Sequence, residues 1–164
     1  MFLKKSILIN TRNTMNKDYF KIIRAGINTT FQDLGRKNLF HIGIPFGGAM
    51  DNRNYLLSNK LVQNNFNSPV IEFAYQGPLL KYNGKKINIV ITGDVKFKIK
   101  KNQKLFEGNC YETYLIEDGD EIDILSTNKS VYGYFAVNAE FDLNFQWESC
   151  SINTKANIGS NNGK

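Results

Sequence analysis

Val95, Phe97 and Ile99 alternate with Lys96, Lys98 and Lys100. An extended chain here turns one apolar face inward and one lysine-bearing face to water, which predicts a strand. Short apolar runs at Val70–Ala74 and Ile87–Thr92, and a β-branched run at Phe20–Arg24 stopped by Ala25-Gly26, predict three more. Tyr111–Ile116 and Glu121–Leu125 flank Asp118-Gly119, a hairpin signal, and Val131–Val137 closes the series. Gly93-Asp94 reads as a hairpin bend rather than a phosphate loop.

One segment has a helical period. Asp51 is a good N-cap, and Leu57 and Leu61 repeat at i, i+4 with Tyr55 and Val62 widening the stripe. The helix is predicted to run to about Asn64, where Asn64-Asn65 and Ser68-Pro69 end it. Between Ile27 and Ala49 no period persists. Gly35, Gly43, Gly47, Gly48 and Pro45 mark a structured loop, with a short strand at Leu39–Ile44. The fold class is therefore mainly β: an antiparallel barrel or sandwich whose single helix caps one open end. Residues 1–18 read as a loose leader, with the start open between Met1 and Met15, and Asn153–Lys164 as an interrupted tail.

Composition narrows the function classes. With 164 residues, 41% of them hydrophobic, the chain can bury a core. The net charge of +6 invites a nucleic-acid partner. Its cations, though, are mostly scattered lysines, with only Arg12, Arg24, Arg36 and Arg53 as arginines, which argues against one. Cys110 and Cys150 lie far apart without ligand spacing, so a reduced chain is the default and one disulfide stays open. A single histidine, His41, argues against a histidine-built metal site. No segment approaches the about 20 apolar residues that span a bilayer. The expectation is a soluble, cytoplasmic protein with no metal and no membrane partner.

Chemistry concentrates in Thr29–Asp51. Arg36 is either a bidentate clamp for a carboxylate or phosphate, or an ion pair with Asp33 that staples the loop. Asp33 is a general base or the cap of an Asx turn, and Asp51 a helix cap or a catalytic carboxylate. Gln32 is placed to donate to a carbonyl oxygen gaining charge. His41 is a proton shuttle or a structural residue. Gly43, Gly47 and Gly48 let backbone N–H groups approach a small polar ligand closely. Glu72 interrupts an apolar strand, either as its outward residue or facing a polar pocket. Neither a Walker A loop nor a dinucleotide fingerprint is present.

The string Gly26-Ile-Asn-Thr-Thr-Phe-Gln-Asp-Leu-Gly-Arg36, then His41-Ile-Gly-Ile-Pro45 and Gly48-Ala-Met-Asp51, resembles the biotin-dependent carboxyltransferase family. That family is also called allophanate hydrolase subunit 2, and it includes the 5-oxoprolinase C subunit and the Kip antagonist protein. The resemblance continues through Asn59-Lys-Leu61, Glu72, Gly77-Pro-Leu79, Thr92-Gly93 and Tyr134–Val137. It implies a cyclophilin-like β-barrel lobe over 19–148, with 149–164 as the interrupted start of a second lobe or a disordered tail. It also implies that the whole subunit has two lobes and roughly twice this length.

The activity it implies is ATP-dependent opening of the lactam 5-oxoproline to glutamate, with the sister 5-oxoprolinase B subunit and a separate A subunit. ATP is then used in the assembled complex. Arg36 would hold the substrate carboxylate, Gln32 and His41 the amide, and Asp33 or Asp51 would move the proton. Gly43, Gly47, Gly48, Asn59 and Glu72 would complete the substrate surface. The alternative is carboxyl transfer from carboxybiotin to urea or a related amide, with biotin on another protein because no Ala-Met-Lys-Met motif occurs here. A non-catalytic module that binds a sister protein, or a decayed gene product, are further readings. Three departures matter. The family usually has serine where this chain has Gly47, glycine where it has Asn38, and a glycine pair at Ala139-Glu140.

Overall fold

The computed structural model describes residues 6–10 and 18–163, so the candidate start at Met15 lies outside the described residues. Among the described residues, twelve strands form two antiparallel sheets. The first runs in the order β12 (Glu140–Phe141), β1 (Ser6–Asn10), β2 (Asp18–Arg24), β5 (Leu79–Asn83), β10 (Glu121–Thr127), β7 (Val95–Lys101), β8 (Lys104–Gly108). The second is β3 (Thr30–Gln32), β4 (Val70–Ala74), β11 (Tyr132–Val137), β6 (Ile87–Thr92), β9 (Thr113–Ile116). The mainly β reading holds, with the ladders divided between two sheets rather than closed into one barrel.

The core lies between the sheets. Phe20, Leu80, Tyr82, Phe97, Ile99, Ile122 and Ile124 of the first sheet meet Ile71, Phe73, Ile89, Ile91 and Phe135 of the second. The lysine alternation of β7 is realised, with Val95, Phe97 and Ile99 inward. A smaller cluster covers the other face of the second sheet. There α1 (Asn52–Leu61) lays Tyr55 and the following Val62 on Val70, Val90, Tyr134 and Ala136. The helix thus caps the assembly across a sheet face, and β4 is buried on both sides.

Several expectations change. Asp118-Gly119 and Gly93-Asp94 are not hairpins: β9 and β6 belong to the second sheet, while β10 and β7 belong to the first. Turn residues specify a reversal, but the face to be buried chooses the partner. The tight hairpin is at Asn102-Gln103 instead, both at positive φ, joining β7 to β8. Leu39–Ile44 holds a 3-10 turn at Phe40–Ile42, closed by Gly43 in the left-handed region, and no strand. Thr30–Gln32 is a strand within the expected loop, paired with β4.

The helix is rotated about its axis from the Leu57/Leu61 stripe. Its buried residues are Tyr55, Ser58 and Asn59, while Leu57 and Leu61 are half-buried. Burial of the two polar residues is offset because Ser58 Oγ donates to Tyr55 O (2.7 Å) and Asn59 Nδ2 to Ser68 O (2.8 Å). Both cysteines are free thiols. No described helix is long and apolar enough to cross a membrane.

Both chain ends depart from the sequence reading. Ser6–Asn10, expected as loose leader, pairs with β2 and β12. Its Ile7 and Ile9 enter the core while Leu8 faces out, a period of two too short to stand out in the sequence. Ser149, Cys150, Ser151 and Ile152, expected to open a second lobe or a disordered tail, are buried inside this one.

A core role for β1 has a direct test in urea unfolding. Ile9 is 0% exposed, so Ile9→Ala should cost about 2–5 kcal/mol. Leu8→Ala, at 37% exposure on the same strand, should cost far less. Equal effects would remove β1 from the core.

Candidate functional site

The glycine-rich loop folds back on itself. Arg36 N donates to Phe46 O (2.7 Å) and Ala49 N to Asp33 O (3.0 Å), so 33–36 lies alongside 46–49. Gly35, at φ 80, makes this contact possible, because a Cβ there would meet Phe46 O at 2.7 Å.

Beneath the loop runs the segment Ser149–Ile152, and Asp33 fastens the two together. Its Oδ1 accepts from Gly35 N (2.8 Å) and Ser149 Oγ (2.7 Å), and its Oδ2 from Cys150 N (2.8 Å). Gln32 extends the seam: Nε2 donates to Ile152 O (3.0 Å) and Thr30 Oγ1 (2.9 Å), and Oε1 accepts from Ser151 Oγ. Ser151 Oγ in turn accepts from Gly48 N (2.7 Å). Burial first, then the Asp33 carboxylate, pushes the Cys150 thiol above its ordinary range. It is a packed thiol rather than a nucleophile.

Arg36 sits in the middle, only 2% exposed. Its Nη2 donates to Ser151 O (2.9 Å) and Ser149 O (3.4 Å). Its Nε and Nη1 are buried without a partner. Burial lowers the guanidinium below its ordinary range, opposed by Asp33 and then Cys150. No direct Arg36–Asp33 ion pair forms, so neither expectation for Arg36 stands as drawn. The bidentate clamp fails on geometry: both forked edges of a guanidinium include Nη2, which two carbonyls already occupy. What remain are two separate single-point donors, Nε and Nη1.

Gly47 explains why Nη1 is unpaired. A Cβ at this position would lie 3.3 Å from Arg36 Nη1 and 3.0 Å from Ser151 Oγ. The serine usual in the resembling family could bring its hydroxyl to Nη1, and Gly47 removes that acceptor. A buried, unpaired, cationic donor is costly, and here it borders an exposed glycine in the left-handed region at φ 66. An anionic oxygen taking the place of the missing side chain would satisfy it.

Asp51 and Glu72 form a second network at the far end of the loop. Asp51 caps α1 by accepting from Asn54 N (3.1 Å), which selects the capping reading. Glu72 points inward to the helix side of the sheet, where Oε2 accepts from Met50 N (2.8 Å) and Tyr134 Oη (2.8 Å). Tyr134 Oη also accepts from Asp51 N (2.7 Å). Of the expected residues, then, Gln32, Asp33, Arg36, Gly47 and Gly48 converge. Asn59 instead ties α1 to Ser68 and Asn64, away from the loop network.

His41 and Gly43 are exposed on the 3-10 turn. His41 lines a cleft of about 590 Å³ with Lys37, Asn38, Phe40 and Phe46. A neighbouring cleft of about 560 Å³ shares Lys37 and Asn38 and is walled by Leu34, Gly35, Phe66, Asn67, Trp147 and Glu148. Trp147 and Glu148 both have positive φ and close a turn bridged by Gln146 and Ser149. Non-glycine residues there cost about 1–2 kcal/mol each. Sequence reasoning missed Ser149, Ser151, Tyr134 and Trp147. Only the cross-strand position of Tyr134 opposite Glu72 was accessible in principle, through strand register.

Comparisons with known proteins agree with this geometry. The family described as "Carboxyltransferase domain, subdomain A and B" matches residues 42–164. The urea amidolyase of Lachancea kluyveri is 28% identical over 165 residues, 98% of this chain and 9% of that protein. The 5-oxoprolinase C subunit of Haemophilus influenzae is 31% identical over 143 residues, 87% of this chain and 45% of that protein. The crystal structure of the Kluyveromyces lactis urea carboxylase superposes with a TM-score of 0.81 at 27% identity, over 88% of this chain and 13% of that one. The chain spans less than half the length of the curated relatives it matches.

Glu72 gives the site a pH signature. Burial raises its carboxyl above the ordinary range, Met50 N–H and Tyr134 Oη oppose this, and Asp51 adds to it. At this carboxyl the folded state therefore keeps a proton that the unfolded chain loses at about pH 4.3, and the stability that Glu72 contributes falls as pH rises through its folded pKa. Glu72→Gln keeps an oxygen for both donors and abolishes the titration. Denaturation across a pH series should show that fall in the wild type and lose it in the variant. An unchanged profile would mean that Glu72 is not held protonated by its burial.

Proposed function

The chain belongs to the carboxyltransferase family of subdomains A and B, and from that membership we propose that it is the first lobe of a protein that opens 5-oxoproline to glutamate together with partner B and A subunits, consuming ATP. The observation that carries the reading is the buried Arg36 Nη1, unpaired beside Gly47. Likeness to the 5-oxoprolinase C subunit at 31% identity supports it.

A lactam is a poor electrophile because its nitrogen shares electron density with the carbonyl. Phosphorylation of the carbonyl oxygen by ATP makes the carbon attackable by water, provided that the substrate is held still. In this reading Arg36 Nη1 takes one oxygen of the substrate carboxylate through a charge-assisted bond. Because Nη1 does not touch solvent, the Gly47 peptide must shift to admit it. Asp33, Gln32 and Ser151 act as positioning residues, holding Arg36 through the 149–151 backbone. His41 stands in the adjoining cleft, near enough in the chain to take part in proton movement when the loop shifts.

Carboxyl transfer from carboxybiotin to urea or a related amide is the second reading. It is favoured by the likeness to urea amidolyase over 98% of the chain. Biotin would ride on another protein. Urea carries no carboxylate, so substrate choice separates the two.

In the assembled complex, Arg36→Lys should raise KM for 5-oxoproline by about tenfold or more, the scale of one charge-assisted hydrogen bond, with kcat little changed. The wild type should also prefer 5-oxoproline over 2-pyrrolidinone, the same lactam without its carboxylate, and the variant should lose that preference. A variant that is folded by circular dichroism and has unchanged KM and preference overturns the carboxylate role. Turnover of urea with carboxybiotin in place of 5-oxoproline would transfer the assignment to the second reading.

A further inference from the structure

The cleft beside the Arg36 loop has a chemistry of its own. Trp147 and Phe66 line it, yet they are 48% and 70% exposed, large apolar surfaces that a folded chain ordinarily covers. Trp147 is held there at a positive φ by a turn that ends at Ser149, which is anchored on Asp33. The backbone strain is therefore sustained by the most tightly bonded point of the site, and strain of this kind concentrates at ligand sites. Glu148, Asn67 and Asn38 line the same cleft.

The ligand class follows from these groups and from size. Two aromatic side chains offer stacking faces to a flat ring. The Glu148 carboxylate is an acceptor suited to a pair of vicinal hydroxyls. Lys37 is a point charge suited to phosphate, and it lines this cleft and the next, as Asn38 does. A tail leaving the first cleft past Lys37 enters the second, where His41 is a further donor. Each cleft, at about 560 and about 590 Å³, lies in the range of small-molecule sites and is roomy for a five-membered lactam alone.

We propose that the Trp147–Phe66 cleft binds the base and ribose of a purine nucleoside triphosphate, with its phosphates directed across Lys37 toward His41. This rests on the reading that the assembled enzyme consumes ATP, and deepens it by placing the nucleotide on this chain. The phosphates would then lie on the outer side of the loop whose inner side holds Arg36.

Trp147 is the chain's only tryptophan, so its emission reports on this cleft alone. Titration of the full 164-residue chain with ATP should quench or shift that emission saturably at submillimolar concentration. Inorganic tripolyphosphate should leave the emission unchanged, because it has no ring to stack. Lys37→Gln, an exposed substitution that should not disturb folding, should weaken ATP binding by about tenfold. Absence of saturable change up to millimolar ATP overturns the proposal. So does an equal response to tripolyphosphate, or an affinity unaltered in Lys37→Gln. ATP is added without 5-oxoproline, so failure of the Arg36 carboxylate role leaves this titration unaffected, and the reverse also holds.

Discussion

One buried carboxylate organises the site. Asp33 takes three hydrogen bonds, from Gly35 N, Ser149 Oγ and Cys150 N, and so joins the glycine-rich loop to a segment more than a hundred residues later. Each donor is a neutral dipole, and together they do what a counter-ion would otherwise do for a charge away from water. With 149–151 fixed, its carbonyls can hold Arg36 Nη2, and Ser151 Oγ can bridge Gln32 to Gly48. Removal of the carboxylate would release both strands of the seam at once. The turn-capping reading of Asp33 is realised in its bond from Gly35 N, and three of its acceptor positions are taken up by the fold.

The same constraint separates two sides of the loop. Inward, Arg36 keeps unpaired donors under Gly47. Outward, the exposed Phe40, Phe46, Phe66 and Trp147 line the two clefts, and Ile42 and Met50 of the same loop are exposed as well. Apolar exposure of this kind marks a working surface, and the matched residues make up 45% of the 5-oxoprolinase C subunit of Haemophilus influenzae. The Glu72–Tyr134 pair holds the other end of the loop at Met50 and Asp51, and the exposed Gly43 and Gly47 lie before it.

Strand positions were legible where apolar residues alternate, as in β7, or run nearly unbroken, as in β4 and β6. The N-cap at Asp51 was legible because one side chain and one nearby amide decide it. Partners were not. Asp118-Gly119 announces a reversal but not that the next strand joins the other sheet. The helix phase was misread because Ser58 and Asn59 look solvent-facing until Tyr55 O and Ser68 O satisfy them. The family resemblance, which the family match bears out, pointed to the loop. It could not show that Gln32 and Asp33 are engaged with Ser149–Ile152, since that contact depends on folding across more than a hundred residues. Nor could it show that Nη2 is occupied, which turns Arg36 from a fork into separate single-point donors.

The central claim is that Arg36 Nη1 waits for an anionic oxygen. Side-chain nitrogen NMR tests it directly, since the chain has only Arg12, Arg24, Arg36 and Arg53 to resolve. Addition of 5-oxoproline should shift the Arg36 guanidinium resonances and slow the exchange of the Nη1 protons, while 2-pyrrolidinone should do neither. Arg36 resonances that ignore 5-oxoproline, or answer both compounds alike, would contradict the account.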